Sequence, residues 1–592
     1  DQLDRKQLCR WVDGRDPETG ERRGRDLTSA DADLILDGTI NAPKSYSLVA
    51  LLHPHLAAEY EALQDRLRDR IIRTWQSELN ARRGAGGRFR EQLAQIEVVE
   101  LQHRRSRALD HHNHRHLWLS VRVRGEDGQW SNVDSRVAMR LHTLVNAEGE
   151  LAARTDSQWI AALAAHGYTL NADGEVAQIA HAVRPLSRRS NQIEANRAVM
   201  VAEWREAHKG QDPDRVVLTQ IDRRAWATDR PRKPRELEEA DWELLIREEL
   251  EEIDPELGRP RAAVAPRVAR LEQLDLHLLA ARAIVDADLR SAGYGGRFSS
   301  FDVRAGAMRA VAASGVVAER RELDSVIEQV VENAFAHTID LLEGDRERPA
   351  HVKGYMAEST AALKAELADR FDALNAAGDA LSSEAMSLVA DAELASGDTL
   401  DAAQARAAGA IAGTDRLVAV TGPAGTGKTT MLRVAKRALS MQGRRLVVVA
   451  PTKKAASVAG REIGSMASSI HALLADHGWR WGRDDAGAET WVRLELGQVD
   501  ASTGITYCGP ARYPVRTGDR IVIDEAGMVD LHTANALAQL AAETGAGIAM
   551  VGDHLQAMPV GHSGAMACMT RRSGSVVELM TVHRFDDPDY AE

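Results

Sequence analysis

The sequence predicts a multidomain α/β protein in three parts: an N-terminal α+β domain, a mostly helical middle region and a C-terminal P-loop α/β lobe. A glycine-rich phosphate loop follows an apolar strand at 417–420. A histidine-rich segment at 103–116 lies among strand-like runs, and alanine-rich helical periodicity fills 262–395. The length of 592 residues is enough for several domains. We expect domain boundaries near residues 212 and 395.

Composition is that of an ordinary globular protein, with 44% hydrophobic and 28% charged residues. No apolar run reaches the roughly 18 residues of a membrane span, so no membrane insertion is predicted. Cys9, Cys508 and Cys568 are too far apart for a disulfide framework, which favours a reducing, cytoplasmic location. The net charge of −13 argues weakly against nucleic acid, but residues 61–125 hold 14 arginines against 8 acids.

The N-terminal part alternates predicted strands with one long amphipathic helix. Hydrophobic periodicity predicts strands at 34–40, 96–103 and 117–123, and a helix at 55–83. Residues 151–210 are predicted to be helical, with one strand-like piece.

Three histidines, His103, His114 and His116, form an H-x₁₀-H-x-H pattern on these segments. His114 and His116 share one face, so two antiparallel strands would bring all three imidazoles to one point. Three neutral nitrogens with open coordination positions suit a divalent ion that also holds a phosphate. A solvated histidine-rich loop is the alternative, and His111 and His112 are spare ligands.

The phosphate loop at 422–429 reads Gly-Pro-Ala-Gly-Thr-Gly-Lys-Thr. The glycines that let the backbone turn its N–H groups toward phosphate oxygens are Gly422, Gly425 and Gly427. Lys428 is expected to reach the β- and γ-phosphates, and Thr429 to offer its hydroxyl to Mg²⁺. A helix predicted at 430–439 places the phosphates at its N-terminus. The expected ligand is ATP with Mg²⁺.

Further apolar runs at 446–450, 520–523 and 547–551 have the length and continuity of buried parallel strands. Asp524 and Glu525 follow the second of these runs. Because α/β sheets bind ligands at the carboxyl ends of their strands, both acids are expected at the ATP site. Asp524 is predicted to hold Mg²⁺, and Glu525 to orient or deprotonate the attacking water.

Weaker candidates complete the predicted ATP site. Gln556, after the strand at 547–551, is a candidate for contacting the γ-phosphate. Arg584 is a candidate for stabilising transition-state charge, because guanidinium groups bind phosphate oxygens in a fork. Leu400 and Gln404, ahead of the phosphate loop, are candidates for reading the adenine edge.

The motifs of the C-terminal lobe resemble, in order, those of RecD-like superfamily 1 helicases. Besides the phosphate loop they are Ala-Pro-Thr-Lys-Lys-Ala-Ala at 450–456, Ser-Ile-His at 469–471, Asp-Glu-Ala at 524–526, Gly-Asp-His-Leu-Gln at 552–556 and His-Arg at 583–584. The resemblance covers about 395–592 and implies a RecA-like lobe that works on single-stranded DNA. It places Thr452, Lys453 and His471 on the DNA side. The family's second lobe would follow residue 592, and we expect this chain to lack it.

The N-terminal part resembles MobF-class conjugative relaxases. Residues 37–47, Asp-Gly-Thr-Ile-Asn-Ala-Pro-Lys-Ser-Tyr-Ser, are similar to a segment of that family, and His103 through His116 resembles its HUH metal motif. The resemblance implies that the three histidines bind Mg²⁺ or Mn²⁺ and that Asp37 orients a histidine or takes a proton. It also makes Lys44 and the arginine-rich stretch candidates for contacting DNA.

Relaxases of this class cut DNA with N-terminal tyrosines, yet none of the eight tyrosines here precedes Asp37. We therefore expect the nucleophile to lie outside this chain, with Tyr46 a poor substitute. Together the resemblances imply a conjugative relaxase-helicase that nicks plasmid DNA at the origin of transfer and unwinds it with ATP. The implied partners are single-stranded and plasmid DNA, a type IV coupling protein and a secretion channel. The alternatives are a DNA-dependent ATPase with a non-catalytic N-terminal module, and a fragment that only binds single-stranded DNA or a secretion partner.

Overall fold

The structure is a computed structural model that describes most of the chain. The described residues are 2–25, 32–84, 89–106, 108–207, 213, 215–229, 238–266, 268–343, 348–394, 399–423, 425–553 and 561–581, with only the backbone at 215 and 216. The predicted roles of Gln556 and Arg584 fall on positions outside the described residues.

The N-terminal half is an α+β arrangement. Its helices are α1 (Arg5–Val12), α2 (Lys44–Leu52), α3 (Pro54–Glu78), α4 (Ser135–Thr155), α5 (Ser157–Ala165), α6 (Ala180–Val183), α7 (Arg188–Ala207), α8 (Arg215–Ala227) and α9 (Glu239–Ile253). Its strands are β1 (Ile35–Ile40), β2 (Asn80–Arg83), β3 (Phe89–Gln95), β4 (Val98–Arg105), β5 (His111–Ser120), β6 (Arg122–Gly125) and β7 (Trp130–Asn132). The strands form two antiparallel sheets, ordered β1-β5-β4 and β2-β3-β6-β7.

Strand β5 shows the alternation that positions the N-terminal site. From His111 to Leu119 every second residue is buried, and the residues between them are only half-buried. Because successive side chains of a strand point to opposite faces, His114 and His116 share the open face, while Arg115 faces the interior. The histidine-rich segment is therefore a strand, and the alternative of a solvated loop is wrong.

Two predicted boundaries of the N-terminal half need correction. The helix predicted at 55–83 ends at Glu78, because Leu79 is extended and the next residues pair with β3 as β2. The strand predicted at 117–123 is two strands in different sheets, with the change after Ser120, whose Oγ accepts a hydrogen bond from the Arg122 N–H. In both places the residues that follow pair with another strand, which decides where the element ends.

The middle region is mostly helical, as predicted, and includes one small antiparallel sheet. Its elements are α10 (Leu276–Ser291), β8 (Arg297–Phe298), α11 (Ser300–Ala313), α12 (Arg320–Phe335), β9 (Thr338–Asp340), β10 (Tyr355–Ala357), α13 (Glu358–Leu374) and α14 (Ser383–Glu393). Helices α10 and α11 share a buried core with α4 and β5. Helix α13 contributes to the core of the C-terminal lobe instead.

The C-terminal lobe is built on a six-stranded parallel sheet, ordered β13-β12-β16-β17-β11-β18. Its elements are α15 (Ala402–Ala412), β11 (Leu417–Thr421), α16 (Lys428–Met441), β12 (Leu446–Ala450), α17 (Lys453–Ile463), β13 (Ala467–Ser469), α18 (Ile470–Asp476), β14 (Trp479–Arg483), β15 (Glu489–Arg493), β16 (Arg520–Asp524), α19 (Leu531–Thr544), β17 (Gly547–Gly552), α20 (Ala565–Arg572) and β18 (Ser575–Glu578). The four predicted strands are confirmed to within one residue, and β14 and β15 form a separate antiparallel hairpin.

A buried polar cluster joins the lobe to the middle region. The Thr360 hydroxyl of α13 donates to Asp288 Oδ2 of α10 at 2.7 Å, and His562 Nε2 lies 2.9 Å from the same oxygen. Helix α9, beyond the predicted boundary at 212, packs in the core around Tyr46. The boundaries at 212 and 395 stay predictions.

Two candidate active sites

The three predicted histidines meet on the open face of the first sheet. His103 of β4 lies directly opposite His114 of β5 in the antiparallel register. The ring centroids of His103 and His114 are 5.4 Å apart, and His116 lies 5.3 Å from each of them. The structure thus brings together side chains from two strands, as the spacing predicted.

Each of two rings has one nitrogen held by a neighbouring acceptor. His116 Nδ1 lies 3.0 Å from both carboxylate oxygens of Asp37 on β1. His114 Nδ1 lies 2.8 Å from the main-chain oxygen of His112. An acceptor at Nδ1 fixes the proton there and leaves Nε2 with its lone pair, which is how metal-binding histidines are usually oriented.

These residues fit a divalent ion, with some movement of the rings. Burial lowers the pKa of His114 below its ordinary value, which favours the neutral form that binds metals. Within the described residues, no three histidine, cysteine or acidic side chains already have the arrangement of a bound metal. An ion would therefore have to draw the rings closer together.

The structure separates the two spare histidines from this set. His111 is buried on the inner face, and its ring packs at a tilt against Trp242, with the ring centroids 5.3 Å apart. His112 stacks on His114 at 5.3 Å, and burial lowers its pKa to about 4. His112 is thus a neighbour of the cluster, whereas His111 belongs to the core.

One prediction from the N-terminal motif, the exposed position of Lys44, needs correction, whereas the structure agrees that Tyr46 is a poor substitute nucleophile. Lys44 is not on an exposed DNA surface: its side chain is 12% exposed, donates to the Leu186 carbonyl and lies 3.8 Å from Asp110. Tyr46 is fully buried, and its hydroxyl donates to the Ala153 carbonyl at 2.8 Å. Burial raises the pKa of Tyr46, so its phenol is neither accessible nor activated as a nucleophile.

Several guanidinium groups of the arginine-rich stretch form ion pairs within the domain. Arg66 pairs with Asp156, and Arg83 pairs with Asp127. The side chain of Arg115 is buried and contacts the carboxylate of Glu100 at 2.7 Å. These guanidinium groups hold the domain together, which weakens the prediction of a continuous phosphate-binding surface at 61–125.

The phosphate loop has the predicted strand–turn–helix geometry. Gly425 and Gly427 have φ of +86° and +73°, the left-handed region that favours glycine, and α16 begins at Lys428. Lys428 Nζ lies over the loop and donates to the carbonyls of Gly422 and Pro423 at 2.8 and 2.9 Å. The helix N-terminus and the lysine thus converge where phosphates are expected.

The acid pair lies on the neighbouring part of the same sheet edge. Asp524 ends β16, and Glu525 has a φ of +55°, uncommon for a residue with a side chain and found more often at functional sites. A Cβ at Gly552 would lie only 2.8 Å from the Ala526 nitrogen. The end of β17 can therefore approach this turn closely only because residue 552 is glycine. Burial, reinforced by the charge of Glu525, raises the pKa of Asp524 to about 6.

We expect Asp524→Asn to stabilise the nucleotide-free and metal-free protein at about pH 8. The rise of the Asp524 pKa from 3.8 to about 6 means that the fold favours the protonated acid. At about 1.4 kcal/mol per pKa unit, the charged carboxylate lowers the free energy of unfolding by at most about 3 kcal/mol above pH 6. This penalty disappears as the pH falls from 6 toward 3.8.

The measurement is chemical unfolding of wild type and variant at about pH 8 and about pH 4.5. The increase in the free energy of unfolding caused by Asp524→Asn should be present at about pH 8 and small at about pH 4.5. Asp369→Asn, at an exposed acid on α13, is the control. An equal gain at both pH values would show that protonation of Asp524 is not its source.

Gln404 contacts the phosphate loop, which differs from the predicted contact with adenine. The side chain is buried, its Oε1 accepts from the Asp401 N–H at 2.9 Å, and its Nε2 donates to the Thr426 carbonyl at 3.0 Å. Both ends of the amide are therefore engaged by the protein. The Asp401-x-x-Gln404 spacing of a helix capping box was the signal that sequence reasoning missed.

The predicted DNA-side residues lie at the carboxyl ends of two outer strands. Thr452 is the N-cap of α17, where its hydroxyl accepts from the Ala455 N–H at 3.1 Å, and Lys453 is exposed. His471, in α18, packs its ring on Trp481. The three residues occupy the same sheet edge as the phosphate loop.

In the described part of the chain, none of the helices combines the length and the apolar composition needed to cross a bilayer.

Comparison with known proteins matches two regions of the chain. Residues 1–253 match the TrwC relaxase family, and residues 399–592 match the AAA domain family, AAA_30. The N-terminal part of the chain is thus similar to TrwC relaxases, and its C-terminal part is similar to AAA domains.

Individual relatives cover smaller parts. A probable conjugal transfer protein TraA of Sinorhizobium fredii is 30% identical over 174 residues, which are 29% of this chain and 13% of that protein. The conjugal transfer protein TraA of Agrobacterium fabrum shows the same identity and coverage. The matched region thus spans about an eighth of the length of these relatives.

Solved structures give weaker matches. TrwC complexed with a 27-mer DNA comprising the recognition hairpin and the cleavage site is 25% identical, with a TM-score of 0.34, and the match covers 44% of this chain and 86% of that one. A Pif1 helicase structure is 22% identical, with a TM-score of 0.23, and the match covers 33% of this chain and 46% of that one. At these TM-scores the structures add no weight to the family matches.

Proposed function

We propose that the protein is a conjugative relaxase-helicase that transfers a DNA strand at a plasmid origin and unwinds DNA with ATP. The observation that carries this proposal is the presence of a TrwC relaxase domain and an AAA domain on one chain. The names of the TraA relatives, which are conjugal transfer proteins, support it. We assign residues 1–212 to strand transfer and residues 396–592 to ATP hydrolysis. Residues 213–395 are assigned as the mostly helical region that links these two parts.

In the N-terminal site, His103, His114 and His116 would hold Mg²⁺ or Mn²⁺. When bound, such an ion polarises a phosphodiester for attack by a nucleophile. Asp37 would accept a hydrogen bond from the Nδ1–H of His116, which leaves the lone pair of His116 on Nε2 for a metal ion. The pairing of Asp37 with His116 supports the role of an orienting acid rather than a proton acceptor.

In the C-terminal site, the phosphate loop and Lys428 would bind the triphosphate, with Thr429 and Asp524 on the Mg²⁺ side. Glu525 would orient or deprotonate the attacking water. Gln556 keeps its proposed contact with the γ-phosphate, and Arg584 keeps its proposed role of stabilising transition-state charge. Gln404 would act by holding the Thr426 carbonyl and thus the shape of the loop.

The partners that we propose are single-stranded and plasmid DNA, a type IV coupling protein and a secretion channel, and the proposed location is the cytoplasm. The support for the DNA partner is the exposed position of Lys453 and the TrwC relaxase match. The coupling protein and channel are supported only by the resemblance to conjugative relaxases.

Covalent trapping tests the relaxase half of the proposal. The full product of the gene is mixed with single-stranded DNA from its own plasmid's transfer region and Mn²⁺, and protein–DNA adducts are resolved on a denaturing gel. We expect an adduct that is lost in His116→Ala and retained in Tyr46→Phe. No adduct from the wild type would reject strand transfer and leave an ATP-driven motor.

A further inference from the structure

Aromatic side chains cluster on the β14–β15 hairpin. Trp481 and Trp491 are direct partners in the hairpin register, so their rings share one face. Their ring centroids are 5.2 Å apart, with an interplanar angle of 31°. His471 lies edge-on to Trp481 at 4.8 Å and is 6.0 Å from Trp491. We refer to His471, Trp481 and Trp491 as the aromatic platform.

The platform is fixed from the inside and open on the outside. His532 of α19 stacks parallel to Trp491 at 6.2 Å, and Trp479 packs edge-on to it at the same distance. Trp479 is only 7% exposed and belongs to the core of the lobe. Trp481, two residues farther along the strand, is 42% exposed. The outer indole is therefore held at the surface by rings that are themselves anchored.

Groups suited to phosphates follow the strand that neighbours the one leading to His471 of the platform. In the parallel sheet Ala450 of β12 is opposite Ser469 of β13, so the segments that follow these strands start about 4.8 Å apart. The first leads to Lys453, exposed at the start of the 11-residue helix α17, and the second leads to His471. A lysine and the positive end of a helix attract backbone phosphates.

We propose that the aromatic platform stacks on unpaired bases of single-stranded DNA, with Trp481 as the outermost ring and the phosphates following the side of Lys453. This deepens the proposed function and rests on it, because it names the surface by which the ATPase lobe holds its strand. Every base has a π-face, so stacking on such rings accepts any sequence. The competing explanation is that the tryptophan pair only stabilises the hairpin.

The test compares a fluorescent 12-nucleotide oligothymidylate with an abasic oligonucleotide of equal length. For the oligothymidylate, Trp481→Ala should weaken binding about 5- to 150-fold, the equivalent of about 1–3 kcal/mol for one stacked base. Trp481→Phe keeps an aromatic face and should stay within about threefold of wild type. On the abasic strand, wild type and Trp481→Ala should bind equally. Val492→Ala, at a 63% exposed side chain on the other face of β15, is the control.

A second measurement locates the contact without a substitution. An oligonucleotide carrying 5-iodouracil should cross-link to residues 479–493 or to His471 on irradiation. Three results would each overturn the proposed stacking on the platform. The first is equal affinity of wild type and Trp481→Ala for the oligothymidylate, and the second is that Trp481→Ala weakens binding of the abasic strand as much as that of the oligothymidylate. The third is cross-linking only to residues other than His471 and 479–493. Wild type that binds neither oligonucleotide would reject both the platform and the proposed DNA-dependent motor. Binding that is unaffected by Trp481→Ala would reject the platform alone.

Discussion

Replacing Lys428 with alanine is expected to lower the rate of ATP hydrolysis by at least about 10²–10³-fold. Lys428 Nζ lies over the phosphate loop, within 2.9 Å of two of its carbonyls, at the N-terminus of α16. A positive charge at this point can contact the β- and γ-phosphates, where charge changes during phosphoryl transfer. The loss should therefore appear in kcat as well as in affinity, measured by phosphate release with saturating single-stranded DNA.

A matched control lies on the same helix. Arg437→Ala also removes one positive charge from α16, but at an exposed position about two and a half turns from Lys428. Its hydrolysis rate should stay within about twofold of wild type. Lys428→Ala should also leave Mn²⁺ binding by the N-terminal domain unchanged, because the histidine cluster lies in a different sheet. A Lys428→Ala protein that hydrolyses ATP at the wild-type rate would contradict the assigned phosphate site.

The parallel sheet illustrates what the sequence could predict. Strands β11, β12 and β17 are buried on both faces, so their sequences are continuous apolar runs with readable ends. The outer strands β13 and β18 were not predicted. They have only three and four residues, and β18 alternates between half-buried and exposed positions. Such short edge strands carry too little apolar signal to be distinguished from loops.

At the two sites, too, features set by neighbouring residues in the sequence could be predicted, whereas contacts between residues far apart in the sequence could not. His114 and His116 were predicted correctly to share a face, because strand alternation is a local property. For Lys44 the motif did not show a partner that is distant in sequence, and for Gln404 it did not show that a local partner, Asp401, and a more distant one engage the amide. Lys44 contacts a carbonyl 142 residues away, and Gln404 contacts one 22 residues away. A motif therefore indicated which residues matter, and only the packing showed whether each faces solvent or supports a neighbour.

The second large effect is expected at the histidine cluster. His103→Ala or His116→Ala should lower the affinity for Mn²⁺ more than 100-fold, because each removes one of three nitrogen donors that meet at 5.3–5.4 Å between ring centroids. Asp37→Ala should lower it about 10- to 100-fold, since this carboxylate orients His116 from 3.0 Å without being one of the three donors. Titration with Mn²⁺, followed by electron paramagnetic resonance, measures the Mn²⁺ affinity of each of the three variants.

The graded loss distinguishes a metal site from a merely structural cluster. His142→Ala, at an exposed histidine on α4, removes an imidazole outside the cluster and should leave the affinity unchanged. Thermal unfolding without metal should be similar for His116→Ala and wild type, because the ring lies on the open face of β5. If wild type and His116→Ala bind Mn²⁺ equally, the histidines are not its ligands. The N-terminal domain would then be a non-catalytic DNA-binding module attached to an ATPase.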